Sequence, residues 1–364
     1  MRLSITLSAY IGRQFFLWCG GIFLAFTSII FMLDLVELMR RASSKKEATL
    51  DIIVQMALLK VPLMAQEILP FAILFGGMLI FSRLTRAHEL VVVRAAGVSI
   101  WQFLFPSLVI TFLVGCFCVM VFNPFASITS SRFEHLESRY LQGKSSLLAV
   151  SSAGLWLRQS DKNGQSIIHA QRVLPESFQL QDVIIFMFED EDRFAGRIDA
   201  VTATLDSGNW QLANAWITAP NTPPSFKTNY RVKTKLTFEK IQESFASPET
   251  MSFWDLPDFI SVMENAGFSA LRHRLHWYTL LALPFLLCAM VFIAATFSLR
   301  LVRHGSTALV VAGGIFVGFL FYFLSDVVYA LGLSASLPLM LAAWAPVGIS
   351  VFLGLAMLMH LEDG

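Results

Sequence analysis

Four stretches of the chain carry no aspartate, glutamate, lysine or arginine: Ala95 to Ser131, Leu275 to Leu299, Gly305 to Ser325 and Val327 to Leu361. A helix needs roughly 20 mostly apolar residues to cross a hydrocarbon layer of about 30 Å, and these runs are long enough. With two more apolar segments near the N-terminus, the pattern predicts six spans. They cover about Phe15–Leu38, Ile53–Phe81, Val98–Phe122, Leu275–Leu299, Ser306–Ser325 and Leu337–Met359, with "LGLSASLP" as the hairpin before the last.

Between the third and fourth spans the period changes to two. "GLWLRQ", "QSIIHAQRV", "QDVIIFMFED", "RIDAVTATL", "NWQLANAWITA" and "YRVKTKLTF" are short strand-like runs, separated by the turn signals "DKNG", "LPES" and "DSGN". In the last of them Tyr230, Val232, Thr234, Leu236 and Phe238 alternate with Arg231, Lys233, Lys235 and Thr237, as in a sheet with one wet face. About six strands without interposed helices predict a sandwich or jelly roll. "SFWDLPDFISVMENAGF" predicts a helix leading back to the fourth span. The fold class is therefore an α-helical polytopic membrane protein with six transmembrane helices and an inserted all-β, jelly-roll-like domain. Its expected divisions are residues 1–131 (spans one to three, with a loop helix near 84–96), 132–270 (the β-domain) and 271–364 (spans four to six).

Composition agrees with the pattern. The chain is 55% hydrophobic and 15% charged, where a soluble protein carries about 25% charge. More than half of the charged residues lie between Arg132 and Arg274. Cys19, Cys116, Cys118 and Cys288 all sit inside apolar runs, so the β-domain has to stand without disulfides. The first apolar segment follows Arg2 and Arg13 and has no clear cleavage site, which predicts a retained span.

Arginine and lysine in the short loops set the expected orientation. With the N-terminus inside, Arg2, Arg13, Arg83, Arg86, Arg94, Arg300 and Arg303 are cytoplasmic, and the C-terminus is inside as well. Arg40, Arg41, Lys45 and Lys46 then fall outside with the β-domain, against the usual bias. No nucleic-acid partner is expected.

Familiar catalytic motifs fail on inspection. "GKSS" at Gly143 to Ser146 lacks the upstream glycine of a phosphate loop, where Ser138 stands instead. "HELVV" at His88 has Val92 where a zinc protease helix needs its second histidine. No G-x-S-x-G occurs. His273 and His276, beside Arg272, Arg274 and Trp277, read as interfacial anchors rather than metal ligands. No catalytic residue and no metal ligand is assigned.

The basic groups carry more information. Arg40 and Arg41 follow the first span, and Arg132, Arg139 and Lys144 follow the third, with Arg132 and Arg139 two helical turns apart. They form either a solvated charge rim or a site for anionic headgroups, since arginine pairs with phosphate through charge-assisted hydrogen bonds. Lys60 and Glu67 lie on one face of the second span, where charge is costly and faces a cavity or a partner. "SRLTRAHELVVVRAAGVSI", residues 82 to 100, joins spans two and three on the expected cytoplasmic side, with Leu90, Val93 and Gly97 on one side of a short helix. It either lies on the inner headgroups or docks into a soluble partner.

Taken together, "RAHELVVVRAAGVS", "VPLMAQEILPFAILFGGML" with its two prolines, "GLWLR" and "GGIFVGFLFYFLSD" resemble the lipopolysaccharide export permeases, the LptF/LptG family. The resemblance covers nearly the whole chain, and "GLW" with "ELVVVRAAG" leans toward the LptG branch. It implies an ABC-type permease subunit in the inner membrane of a Gram-negative bacterium, with a periplasmic middle domain. Its implied partners are an LptF-type permease subunit, an LptB-type ATPase dimer and an LptC-type single-span protein. The complex would extract lipopolysaccharide and pass it to a periplasmic bridge. ATP and Mg would belong to the ATPase, with no cofactor and no catalysis in this chain. Arg86, Glu89, Leu90, Val93 and Arg94 would form the coupling helix on the ATPase. Arg40, Arg41, Lys60, Arg132 and Arg139 would meet phosphates and sugars of the lipid, while spans one and five would be lateral gates.

Two positions depart from the family. Relatives can carry a basic residue about two turns before the Arg40/Arg41 pair, where this chain has Asp34, and its basic residue in span two, Lys60, precedes Pro62. Two other functions fit the residues alone: a membrane-anchored scaffold whose β-domain binds an envelope protein, and a permease for a different anionic lipid.

Overall fold

The computed structural model describes residues 5–43, 45, 48–142, 148–151, 154–161, 164–174, 179–189, 193–206, 208–220, 222–234, 247–265, 269–301 and 307–362. The helices are α1 (Ile5–Ala42), α2 (Leu50–Arg86), α3 (Glu89–Ala95), α4 (Ile100–Phe117), α5 (Asn123–Glu137), α6 (Leu256–Asn265), α7 (Leu271–Leu301), α8 (Thr307–Leu333) and α9 (Leu339–Glu362). Six helical stretches are long and apolar enough to span a bilayer. The inserted domain is built on an antiparallel β-sheet, as expected. Lys46, Lys144, "GKSS", Arg303 and the end of "YRVKTKLTF" lie outside the described residues.

The chain divides into two compact units. The first holds the membrane helices, and helix backbones touch where glycine permits it. A Cβ on Gly76 of α2 would meet the Cα of Cys19 on α1 at 2.6 Å, and one on Gly115 of α4 would meet the Cα of Pro284 on α7 at 2.6 Å. Small residues at such crossings let apolar helices approach closely in a bilayer, where burial alone gives little drive. A Gly76→Ala variant is therefore expected to lower the thermal unfolding midpoint in detergent, by the roughly 1–3 kcal/mol of an overpacked core. Gly20→Ala, whose Cβ meets nothing within 4 Å, should leave the midpoint unchanged or raised.

Burial is uneven among the spans. In the most apolar stretch of α2, 72% of residues are buried, against 6% in α1 and 11% in α8. Gly314 and Gly318, one turn apart, seat α8 on Met78 and Phe71 of α2, while Phe316, Phe319 and Phe323 remain exposed.

The third span runs on past Phe122, the end expected from the sequence. Two π-helical turns, Cys118–Phe122 and Ser138–Gln142, bracket α5 and keep the chain helical to Gln142. The boundary expected at Arg132 thus falls inside α5, and the second unit starts at Gly143. The physical reason is local: the polar residues from Arg132 to Gln142 have good helix propensity, so loss of hydrophobicity does not end the helix. A π turn also releases main-chain groups. Trp254 donates its indole N–H to the Met120 carbonyl at 3.1 Å, and the side-chain Oδ1 of Asn123 accepts from the Phe253 N–H at 2.8 Å.

In the second unit β1 (Leu148–Ser151), β2 (Gly154–Asp161), β3 (Gly164–Leu174), β4 (Gln179–Glu189), β5 (Arg193–Asp206), β6 (Asn209–Thr218) and β7 (Ser225–Lys233) form one antiparallel sheet in consecutive order. β1 is additional to the expected strands. The sheet folds over enough for Gln159 of β2 to accept a hydrogen bond from Thr234, just past β7, at 2.7 Å. Leu157, Ile168, Ile185, Ile198 and Trp210 fill the interior. Helix α6 starts at Leu256, so the expected helix loses its first residues, which form turns instead.

The sheet has a crease. Buried residues alternate along each strand until one line, where the interval becomes three: Leu180 to Val183, Ala200 to Ala203, Leu212 to Ala215. Leu180 pairs with Ala203, and Ala203 with Leu212, so the slips are aligned across β4, β5 and β6. Asp182 and Asn214 adopt left-handed backbone there, each with φ of 52°. Aspartate and asparagine bear that conformation best among residues with a Cβ.

Candidate functional site

Two sites can be built from the membrane unit. At one, α2 ends at Arg86 and His88 turns the chain with left-handed φ of 58°. Helix α3 follows at once and closes on Gly97, whose φ of 81° a side chain would strain. The Val98 N–H reaches the Val93 carbonyl at 3.3 Å and the Gly97 N–H the Arg94 carbonyl at 2.9 Å, satisfying the helix end in a Schellman-type closure. Ser99 and Gln102 then form a reciprocal capping box that starts α4. The short helix is fixed at both ends to spanning helices.

The side shared by Leu90 and Val93 is the inward one. Leu90 is turned inward and buried, Val93 is half-buried, and the apolar pair offered outward is Val91 and Val92, at 58% and 68% exposure. Arg86 and Arg94 are exposed and Glu89 half-buried. Leu90 thus anchors α3 to its own chain, and the outward surface is Val91, Val92, Arg94 and the edge of Glu89. Tyr10 of α1 donates its hydroxyl to Glu89 Oε1 at 3.5 Å, and Arg83 reaches Gln14 of α1 at 3.4 Å. Tyr10 was not singled out in the sequence, because nothing local links it to a residue on another helix.

The other site joins α1, α2 and α5. Lys60 Nζ lies 2.6 Å from Asp34 Oδ1 and 5.5 Å from the centre of the Phe133 ring. Asp34 is nearly buried, and its Oδ2 is buried with no hydrogen-bond partner. Phe133 belongs to a buried apolar cluster with Leu38, Ile53 and Met56. Arg41 pairs with Glu137 of α5, and Arg40 makes a forked contact with Glu37 at 2.6 and 2.7 Å. Arg132 and Arg139 are exposed, with no ion pair among the described residues. The π turn after Glu137 alters the phase between them, so the two-turn spacing of a regular helix does not apply. Arg139 lies over the Tyr140 ring at 5.5 Å.

The structure therefore gathers Asp34, Lys60, Arg41 and Glu137 at one helix junction, with Arg132 and Arg139 on the helix that carries Glu137. Lys60 is neutralised by Asp34 and Arg41 by Glu137. The exposed Arg40–Glu37 pair contributes little to stability, so Arg40 can exchange partners. Glu67 lies on the exposed side of α2. Among the described residues no three histidine, cysteine, aspartate or glutamate side chains converge as metal ligands.

Comparison with known proteins bears on the whole chain. The family described as "Lipopolysaccharide export system permease LptF/LptG" matches residues 9–360. The chain is 24% identical over 368 residues to the lipopolysaccharide export system permease protein LptG of Escherichia coli (strain K12), covering 98% of both chains. It is 23% identical over 355 residues to the protein of that name from Haemophilus influenzae, covering 94% of both.

Proposed function

The chain belongs to the LptF/LptG family of lipopolysaccharide export permeases, and from that premise we propose that it is the LptG-type half of an ATP-driven lipopolysaccharide extractor in a Gram-negative inner membrane. It is a multi-pass permease subunit. Its termini face the cytoplasm, its β-domain the periplasm, and an LptF-type subunit, an LptB-type ATPase dimer and an LptC-type single-span protein complete the assembly.

The observation that carries this reading is α3. A helix fixed at both ends to spanning helices transmits a push from a soluble partner without bending. Val91, Val92 and Arg94 offer that partner an apolar and cationic surface, while Glu89 touches α1 through Tyr10. A displacement of α3 is thus handed to α1 as well as to α2 and α4. Because α1 and α8 bury so little against their own chain, they are the surfaces available to line a shared cavity with a second permease subunit.

Lipid enters that cavity sideways. Arg40, Arg132 and Arg139 meet its phosphates at the outer rim, and the exposed apolar faces of α1 and α8 meet its acyl chains. Lys60 and Arg41 reach the lipid only by giving up Asp34 and Glu137. Nucleotide moves the cavity only through the different affinities of its open and closed forms. The test is a photoreactive residue in place of Leu33, exposed on α1, in the assembled complex. Lipopolysaccharide should crosslink to it and be released on ATP addition. A complex with active ATPase that gives no lipid adduct from α1 would remove the reading.

A further inference from the structure

The face of the β-sheet turned away from its core carries a second site. One residue from each of six consecutive strands forms a continuous cross-strand row: Trp156, His169, Ile184, Asp199, Trp216 and Phe226. At one end Trp156 and His169 have ring centres 4.2 Å apart, and at the other Trp216 and Phe226 are 5.2 Å apart. Trp216 and Phe226 are each 51% exposed. Aromatic rings left so open on a sheet signal an interaction surface. Between the two ends Asp199 is held by Arg197, whose Nε lies 2.8 Å from Oδ2.

The crease lies beside this row and deepens it into a groove of about 490 Å³, within the range of small-ligand sites. Gln171, Asp182 and Asn214 supply its polar wall. Asp182 and Asn214 are the left-handed residues of the crease, and strained backbone gathers at ligand-holding positions. Groove, aromatic ends and left-handed polar residues therefore coincide.

We propose that this groove binds a short oligosaccharide. A pyranose ring has an apolar C–H face that stacks on an exposed aromatic ring, and a rim of hydroxyls that both donate and accept. The groove offers both kinds of partner in alternation. Asp182 accepts, Asn214 and Gln171 do both, and Asp199 is a further acceptor whose charge Arg197 balances. Three inter-strand steps from His169 to Trp216 span about 14 Å, which suits a few linked rings. A peptide adding as a strand is disfavoured here, since β3 to β6 are paired on both edges. The proposal goes beyond the transport reading and does not rest on it.

The test uses the full chain in phospholipid nanodiscs and saturation-transfer NMR with two probes. One is the core oligosaccharide released from lipopolysaccharide by mild acid, and the other is chitotriose as a cell-wall-like amino sugar. At least one should show saturation transfer, and the responding probe identifies the source of the sugar. Trp216→Ala should weaken that binding at least tenfold. Asp182→Gly and Asn214→Gly should weaken it too with no loss of stability, because glycine suits left-handed backbone. No transfer from either probe overturns the proposal, as does binding that all three variants keep. A photoreactive residue at Val201 that crosslinks only to a protein also overturns it, making the face a protein interface. Lipid crosslinking from α1 is read separately, so the two readings fail independently.

Discussion

A Glu89→Lys variant purified in mild detergent with its partners is expected to lose the cytoplasmic ATPase while keeping the fold of its membrane helices. The fold should survive because Glu89 is only half-buried and its hydrogen bond from Tyr10, at 3.5 Å, is long. The helix itself is secured elsewhere, by buried Leu90 and by its closure at Gly97. On the coupling reading proposed above, reversing the charge places a cation where the ATPase would meet the edge of Glu89, and like-charge juxtaposition costs several kcal/mol at an interface. Each 1.4 kcal/mol is tenfold in affinity, so the ATPase should fall below detection in a pull-down. Tyr10→Phe removes only the hydroxyl and should retain the ATPase. If wild type and Glu89→Lys bring down equal ATPase, α3 is an inner-surface helix, and the scaffold reading of the chain moves forward.

The second large effect concerns the ion pair inside the membrane helices. Lys60→Ala alone leaves Asp34 nearly buried and uncompensated, which typically costs about 3–5 kcal/mol. The thermal midpoint in detergent should drop clearly. Replacing both partners, Lys60→Met with Asp34→Leu, should restore the midpoint to near the wild-type value, since a buried pair is often replaceable by apolar side chains. Lipid crosslinking separates structure from substrate contact. A double variant with native stability and undiminished crosslinking would show that Lys60 makes no needed contact with the lipid.

That pair also marks where sequence reasoning stops. Asp34 and Lys60 were each visible as departures in charge placement, one acidic about two turns before the Arg40/Arg41 pair, the other basic just before Pro62. That they compensate each other depends on the rotational phase of α1 against α2, which the Gly76–Cys19 contact fixes and no local pattern encodes. The spans were legible because uncharged runs of that length have few other uses. The limits of the third span were not, since helix propensity outlasts hydrophobicity through Arg132 to Gln142. For α3, seven residues are too few to define an apolar stripe. Which of Leu90, Val91, Val92 and Val93 faces outward is set by the left-handed turn at His88. The crease was partly legible: in "RIDAVTATL" the apolar positions Ile198, Ala200 and Ala203 break strict alternation, but only three neighbouring strands together show that the break is shared.

The low burial of α1 and α8 has a consequence for how the chain lives when made in excess. Lipid tails are as apolar as leucine, so an uncovered membrane helix carries little of the penalty an uncovered soluble core would. A surplus copy should therefore stay dissolved in the bilayer as a monomer rather than aggregate. On the proposed assembly, pairing with a second permease subunit then follows mass action in two dimensions, and the amount of working transporter is set by whichever subunit is scarcer in the membrane.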